Sequence, residues 1–466
     1  MNQQFASIFL FFSLFSYHES LRVAPSHFRS SVVQSTNANS DVLHEPWWSQ
    51  GSGGLHFKCT GCGRCCLNDG EVWMDAGEFT DVADFKNVSL IDLMNEYTEI
   101  VSGGWAKMKS YVSPITNEDK CIFLDKDNKQ CTIYAVRPNQ CRTYPWWPRL
   151  LLNESNWVEE ACVPDDAKTG RKWSAKTGGC EGINHADAVA NDPLIVSRNL
   201  ELSSLYNNFG PTPSIMTQDE ERSKFLQKTE TMKAVIQCTK VWIKDFIVKY
   251  NLCPFAEKVL LSNTVRYRVF LGTDVEEIIE VIKFEMLHLM TSTEEDVSTT
   301  LIMLPFVFQE FIDFYDFSVE LEDQIVPALE RESRPAYTTK SSDISKKSQR
   351  RNSKLKKALS RQKQKDSLGI SDNDDDADGN KEVEEIQIAT FHPVFQFANT
   401  ELNDPLNFEK RAPFPTINLL RASKIRQYAD EGKTARIALD NEKSLLSAGA
   451  NKLLAEFRRI IEIALE

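Results

Sequence analysis

The chain has 466 residues and a formal net charge of −13. That length exceeds what one hydrophobic core sustains and implies two or three domains. The composition is that of a soluble globular protein, and its acidic balance gives no reason to expect nucleic acid as the main partner.

Residues 5–16, from Phe5 to Ser16, are almost wholly apolar and rich in Phe. The stretch is too short to span a bilayer comfortably and has the length of a signal-peptide h-region, although no positively charged segment precedes it. From Leu21 to Ser40 the chain is Ser-rich and carries Arg22 and Arg29 with no acid, a transit-peptide composition. The two parts in series resemble the bipartite plastid leader of algae with complex plastids. Residues 1–45 are therefore read as a leader with an organellar, plastid address, the alternative being a secretory signal and a spacer. No membrane span is expected in the mature protein.

His56–Lys58 reads as a short strand feeding Cys59-Thr60-Gly61-Cys62-Gly63-Arg64-Cys65-Cys66. Four thiols in so short a run serve no ordinary core. Thiolates are soft donors suited to zinc, copper(I) or iron–sulfur centres, and two glycines allow the tight turning that makes successive side chains converge. Nine of the eleven cysteines lie between Cys59 and Cys180, with Cys238 and Cys253 apart. A disulfide framework normally pervades a small chain; clustering in one segment of a large one favours metal binding in a reducing compartment.

Glu71–Met74 reads as a second strand. Asp75 with Glu78 has the form of a capping box opening a helix to about Ala83, and Leu90, Leu93, Met94 and Tyr97 predict another helix from Ser89 to about Ile100. Cys121, Cys131 and Cys141 follow at equal spacing. Asp125–Asn128 is a turn signal, so the first two thiols are expected on the strands of a hairpin, and Pro138 and Pro145 flank the third.

The ordered motifs C-x2-C-x2-C-C, C-I-F-L and C-x-I-Y-x-x-R-P-x-x-C-R-x-Y-P, over residues 57–147, resemble the CxxCxxCC family of zinc- or iron-chelating proteins. The flagellin lysine methylase group shares a related cysteine pattern. The resemblance implies a cysteine-rich metal site with Cys59, Cys62, Cys65, Cys66, Cys121, Cys131 and Cys141 as candidate ligands and no defined activity. Cys162 and Cys180 lie in a less patterned tail. Seven thiols exceed one zinc and fall short of two four-thiolate sites. The adjacent Cys65 and Cys66 are expected to point in different directions, and the run departs from the ferredoxin pattern, so zinc and iron, the latter including an iron–sulfur cluster, both stay open. Arg64, Arg137 and Arg142 stand beside these thiols, either to stabilise thiolates or to anchor loops by pairing carboxylates. Trp146-Trp147 and Trp47-Trp48 read as packing.

Pro211–Asp219 reads as a linker, within a boundary set at 206–219. Beyond it come a helix from Glu220 to Lys249, a strand at Val265–Phe270, a helix from Val275 to Met290, a strand at Thr299–Pro305 and a helix from Phe311 to Leu329. Residues 331–384 carry a basic run, Ser345–Lys365, and an acidic run, Asp372–Asp378, and read as a disordered insertion. A strand at Gln387–Phe397 and helices at Ala422–Ala429 and Glu442–Leu465 complete the chain. N-L-C-P-F-A, F-H-P-x-F-x-F and R-x-P-F-P-T-I-N-L-L-R are similar to an uncharacterised bacterial α/β domain family, which implies a boundary and unusual residues but no reaction.

The unusual residues are Cys253, His392, Arg266, Asp404 and Arg411. Cys253 with His392 has the residue types of a nucleophile–base pair, and Arg266 and Arg411 those of an anion site, with His392 and Arg421 beside them. The opposing reading makes Cys253 a small buried hydrophobe and His392 an orienting hydrogen-bonder.

The expected fold class is α+β: a small metal-organised domain at 46–205, then an α/β domain at 220–466 with the insertion. The leading function is a metal-binding protein whose second domain binds a protein partner or client, or a small anion. The alternatives are a metal-dependent or Cys/His-dependent enzyme acting on an anionic substrate, and a structural zinc module.

Overall fold

The computed structural model describes residues 46–49, 54–67, 70–112, 119–125, 130–208, 210–332, 385–430 and 434–463. Residues 1–45, expected to be a leader, lie outside the described residues, as do residues 333–384 of the expected insertion with its charge runs. The helix before the insertion continues to Glu332, just past the expected boundary.

The architecture is α+β. In the first half, β1 (Trp73–Met74) leads into α1 (Ala76–Lys86). The predicted capping box forms: Glu78 N donates to the Asp75 carboxylate at 2.7 Å, and Asp75 N donates to the Glu78 carboxylate at 3.2 Å. Helix α2 (Leu90–Tyr97) is capped by Ser89 but ends before Ile100, because the chain turns extended into β2 (Thr98–Ser102). Thr98, Ile100 and Val101 are β-branched and pair along β3 (Trp105–Met108), and Gly103 and Gly104, at φ +55° and +80°, make the return. Strand β1 joins the other edge of β3, and β4 (Ser110–Val112) pairs separately with β5 (Asp119–Cys121). Short helical turns lead on to α3 (Pro193–Asn208), which the sequence reading left unassigned.

The second half opens with α4 (Gln218–Trp242), capped by Thr217 and Glu220 and continued by a π-helical turn, Ile243–Val248. Strand β6 (Val265–Val269), α5 (Val275–Thr291) and β7 (Thr299–Met303) form a parallel βαβ unit. Helix α6 (Phe311–Glu320), β8 (Ile386–Phe391) and β9 (Thr416–Arg421) follow, and β9 lies antiparallel between β7 and β8. Helix α7 (Ala422–Asp430) follows β9. The single helix expected over 442–465 is two, α8 (Thr434–Ala448) and α9 (Ala450–Ile463), broken at Gly449, whose φ is +78°.

The largest core runs through both halves. Phe79 of α1 meets Phe225 of α4 edge-on at 5.1 Å, and Phe246 sits fully buried among Tyr250, Phe408 and Phe457. Alternation on β6 puts Arg266 and Arg268 on one face, where both meet the buried carboxylate of Glu285 from α5. Arg268 also pairs with Asp81 of α1 at 2.9 Å, so this network ties the two halves. Burial alone would raise the Glu285 pKa, but Arg266 and Arg268 overcome it and hold the carboxylate below its ordinary range.

Phe246→Ala should cost about 3–5 kcal/mol in urea unfolding of the full chain, from transfer plus cavity terms. Glu285→Gln should cost a similar amount, about 3–5 kcal/mol, because two buried guanidinium groups lose their counter-charge. The folded carboxylate binds its proton less readily than the unfolded one. Its stabilisation is thus present above about pH 4.3 and fades as pH falls through the folded value. Urea midpoints measured between pH 7 and pH 3 should lose this acid-side component in Glu285→Gln.

Candidate metal centre

Gly61 and Gly63 adopt φ +69° and +70°, and the chain then closes a tight turn over Arg64–Cys66 in which Cys66 N donates to Gly63 O at 3.0 Å. A side chain at Gly61 would meet nothing, so the demand there is for left-handed backbone and not for space. Cys121 ends β5 opposite Ser110. Cys131 pairs with Leu124 in an isolated antiparallel bridge, the remnant of the expected hairpin, whose tip at 126–129 lies outside the described residues. Cys141 sits in a helical turn, Asn139–Arg142, whose entry is fixed by Glu78: one carboxylate oxygen accepts from Asn139 N at 2.7 Å and from its amide at 2.8 Å. Burial pushes Glu78 up to about 8.

These stretches converge. The Cys66 thiol shares hydrogen bonds with those of Cys121, Cys131 and Cys65, and Cys141 lies beside Cys121, Cys65 and Cys131. Cys65 and Cys66, expected to point in different directions, act on each other across the tight turn of Arg64–Cys66, with Cys66 lowering the Cys65 pKa. Cys59 and Cys62 stand further out. Cys59 is hydrogen-bonded to the Tyr134 hydroxyl, and Cys62 lies toward Cys162 and Cys180, which are joined by Cys162 N donating to Cys180 O at 3.0 Å. All the cysteines are free thiols.

The electrostatics are those of crowded thiols. Hydrogen bonds to Cys121, Cys131 and Cys65 raise Cys66 far above the ordinary thiol value, while the bond to Cys66 lowers Cys65 and Cys121 and brings Cys131 to about 7. Burial, then the neighbouring sulfurs, pushes Cys141 well up. Thiols this close repel once ionised, and a bound cation would let them ionise together. Among the described residues no three Cys, His, Asp or Glu side chains are already arranged to hold a metal ion. The donor set itself, sulfur alone from separate stretches, fits zinc or iron.

The flanking arginines differ in use. Arg64 pairs with Asp165 and Glu181, both at 2.8 Å, and so anchors loops. Arg142 turns away into α5, bonding His288 Nε2 at 3.0 Å and Thr291 Oγ1 at 2.8 Å. Arg137 stays with the thiols and contributes to lowering Cys65 and Cys131. Trp146 packs between Phe57 and Trp157, as expected of a core residue.

In the second half the candidate residues are each engaged locally. His392 is buried against Phe311 and Phe314. Its Nδ1 accepts from Val394 N at 3.3 Å, which leaves Nε2 to donate to Phe308 O at 3.0 Å, and burial lowers its pKa to about 4. Cys253 is packed at the edge of the main core, and burial raises its thiol pKa. Arg411 donates to the carbonyls of Phe395 and Leu402, and Arg421 to those of Leu289, Ser292 and Val297 at the end of α5. Asp404 accepts from Leu406 N at 2.9 Å and caps a helical turn. Arg266 belongs to the Glu285 network. The sequence reading passed over Glu285 and His288, an acid and a histidine on the apolar face of α5. The alternating arginines of β6 were the signal that such an acid should exist.

Comparison with known proteins agrees with the motifs. Residues 58–163 match the family described as a "Putative zinc- or iron-chelating domain" (CxxCxxCC), and residues 234–333 and 362–455 match a family of proteins of unknown function, DUF1415. A curated but uncharacterized protein of the archaeon Methanocaldococcus jannaschii is 30% identical over 114 residues. That alignment covers 23% of this chain and 58% of the relative, so the chain spans little more than half of that protein's length. No solved structure matches the chain. The chain thus joins a segment similar to the CxxCxxCC family to one similar to the DUF1415 family, the fusion that its two sets of motifs announce.

Proposed function

We propose that this is a metal-binding protein that holds zinc or an iron–sulfur centre on four thiols drawn from Cys65, Cys66, Cys121, Cys131 and Cys141, with Cys59 and Cys62 as outer thiols. The observation that carries the reading is the meeting of sulfurs from four separate stretches around Cys66. A bound cation supplies the positive charge that lets these thiols ionise together. The chain's own part is to fix the donors: the Gly61 and Gly63 turn presents Cys65 and Cys66, the strand end presents Cys121, and the Glu78–Asn139 contact presents Cys141. In the second half, the engagement of His392, Arg411 and Arg421 with backbone carbonyls favours a structural or partner-binding role over a Cys253–His392 enzyme. The apolar and Ser-rich leader supports delivery to an organelle.

Elemental analysis of protein isolated anaerobically, without reconstitution, tests the reading. A brown protein with iron, absorbing near roughly 400 nm, would mark the iron–sulfur form. A colourless protein with stoichiometric zinc, melting lower after chelation, would mark the zinc form. Neither metal above background would end the reading. Cys66→Ser should lose most of the bound metal. Cys238→Ser should keep it, since Cys238 is buried in the core with its sulfur on Ile460 O at 3.5 Å.

A further inference from the structure

Helix α6 is apolar on two faces. Phe314 and Phe317, with Leu321 just beyond the helix, are buried in the core under α5. Ile312, Tyr315 and Val319 line the opposite face and stay 62 %, 51 % and 42 % exposed. A helix with apolar residues all round is ordinarily covered all round. Here the open face is edged with acid. Residues 310–323 carry Glu310, Asp313, Asp316, Glu320, Glu322 and Asp323 and no basic side chain. Among the described residues, Asp313, Asp316, Glu320 and Asp323 enter no ion pair. A matching surface presents apolar side chains set among positive charges.

We propose that residues 345–365 of the same chain dock on this face of α6. That segment holds ten Lys or Arg and no acid, and an apolar trio, Leu355, Ala358 and Leu359, stands among the charges. Its two ends also start from the right place. Helix α6 runs on through Leu321–Ile325 and Val326–Glu332, the last described turn before the segment. On the far side, Ile386 N at the start of β8 donates to the Glu330 carboxylate at 2.7 Å. The intervening chain thus leaves and re-enters the fold at the foot of the helix it would cover. Tyr315 lies about 20–25 Å along that helix from Glu330, and the chain from Glu332 to Leu355 reaches about 70 Å when extended. Tethering on that scale makes even weak contacts count. The acidic run at 372–378 is the rival for the same lysines. Its one apolar residue is Ala377, so it offers charge but no cover for Leu355 and Leu359.

Limited trypsin digestion of the full chain reads the docking, because cleavage at the lysines and arginines of 345–365 follows the undocked population. A synthetic peptide of residues 343–366 sets the unprotected rate at each salt concentration. At low salt, cleavage within 345–365 should be at least about tenfold slower than in the peptide, and most of that protection should vanish at about 0.5 M salt. The triple variant Ile312→Ser, Tyr315→Ser, Val319→Ser should be cut at nearly the peptide rate. Asp313→Asn with Asp316→Asn and Glu320→Gln should lose the salt-sensitive part of the protection. Circular-dichroism melts check that both fold. Should the α6 variants not fold, Leu355→Ser with Leu359→Ser, which leaves α6 unaltered, should lose the protection in their stead. Wild-type cleavage within about twofold of the peptide rate overturns the inference. Protection that survives the three serines on α6 overturns it in favour of the acidic run. Protection that grows with protein concentration overturns it in favour of a second copy of the chain.

Discussion

Mutual crowding of sulfur is the constraint around which the first half of this protein is arranged. The thiols of Cys65, Cys121 and Cys131 act on that of Cys66, and a fifth, on Cys141, feels the charge of Cys65, Cys121 and Cys131. Such an arrangement is poor as ordinary core: thiols are weak hydrogen-bonders, and their ions repel at short range. It is held because the surrounding structure leaves little alternative. Two left-handed glycines direct one pair of cysteines, an antiparallel pairing directs two more, and the carboxylate of a capping box directs the last.

That carboxylate shows how closely folding and site are joined. Glu78 accepts from Asp75 N as part of the α1 cap, from Asn139 beside Cys141, and from the Tyr206 hydroxyl of α3 at 3.2 Å. One side chain therefore sets the start of a helix, the seat of a thiol and the position of a second helix. The burial that raises its pKa is the same burial that makes its four donors effective.

Local chemistry was legible and long-range pairing was not. The capping box at Asp75, the strands at 265–269 and 299–303 and the tryptophan packing all follow from short-range signals, and all are present. The helix expected to reach Ile100 stops early because β3 offers Thr98 a partner that lies beyond any local window. Gly449 breaks a helix whose apolar period runs straight through it. Within the site, the cysteine spacing announced a thiol centre, but not which thiols would act on one another. Nor did it say which of three arginines would remain beside the sulfurs. Those choices depend on Asp165, Glu181, His288 and Thr291, and no spacing rule links them to the cysteine run.

The two family matches meet in sequence between residues 163 and 234, yet the main core does not divide there. Phe79 packs on Phe225, Arg268 reaches back to Asp81, and Arg142, next to Cys141, is anchored in α5. The two matched segments share one hydrophobic core. Severing it would expose aromatic surface on both pieces and strand a guanidinium away from its acceptors. Through Arg142, one residue from Cys141, the thiol region is tied to the helix that packs on the sheet of the other half.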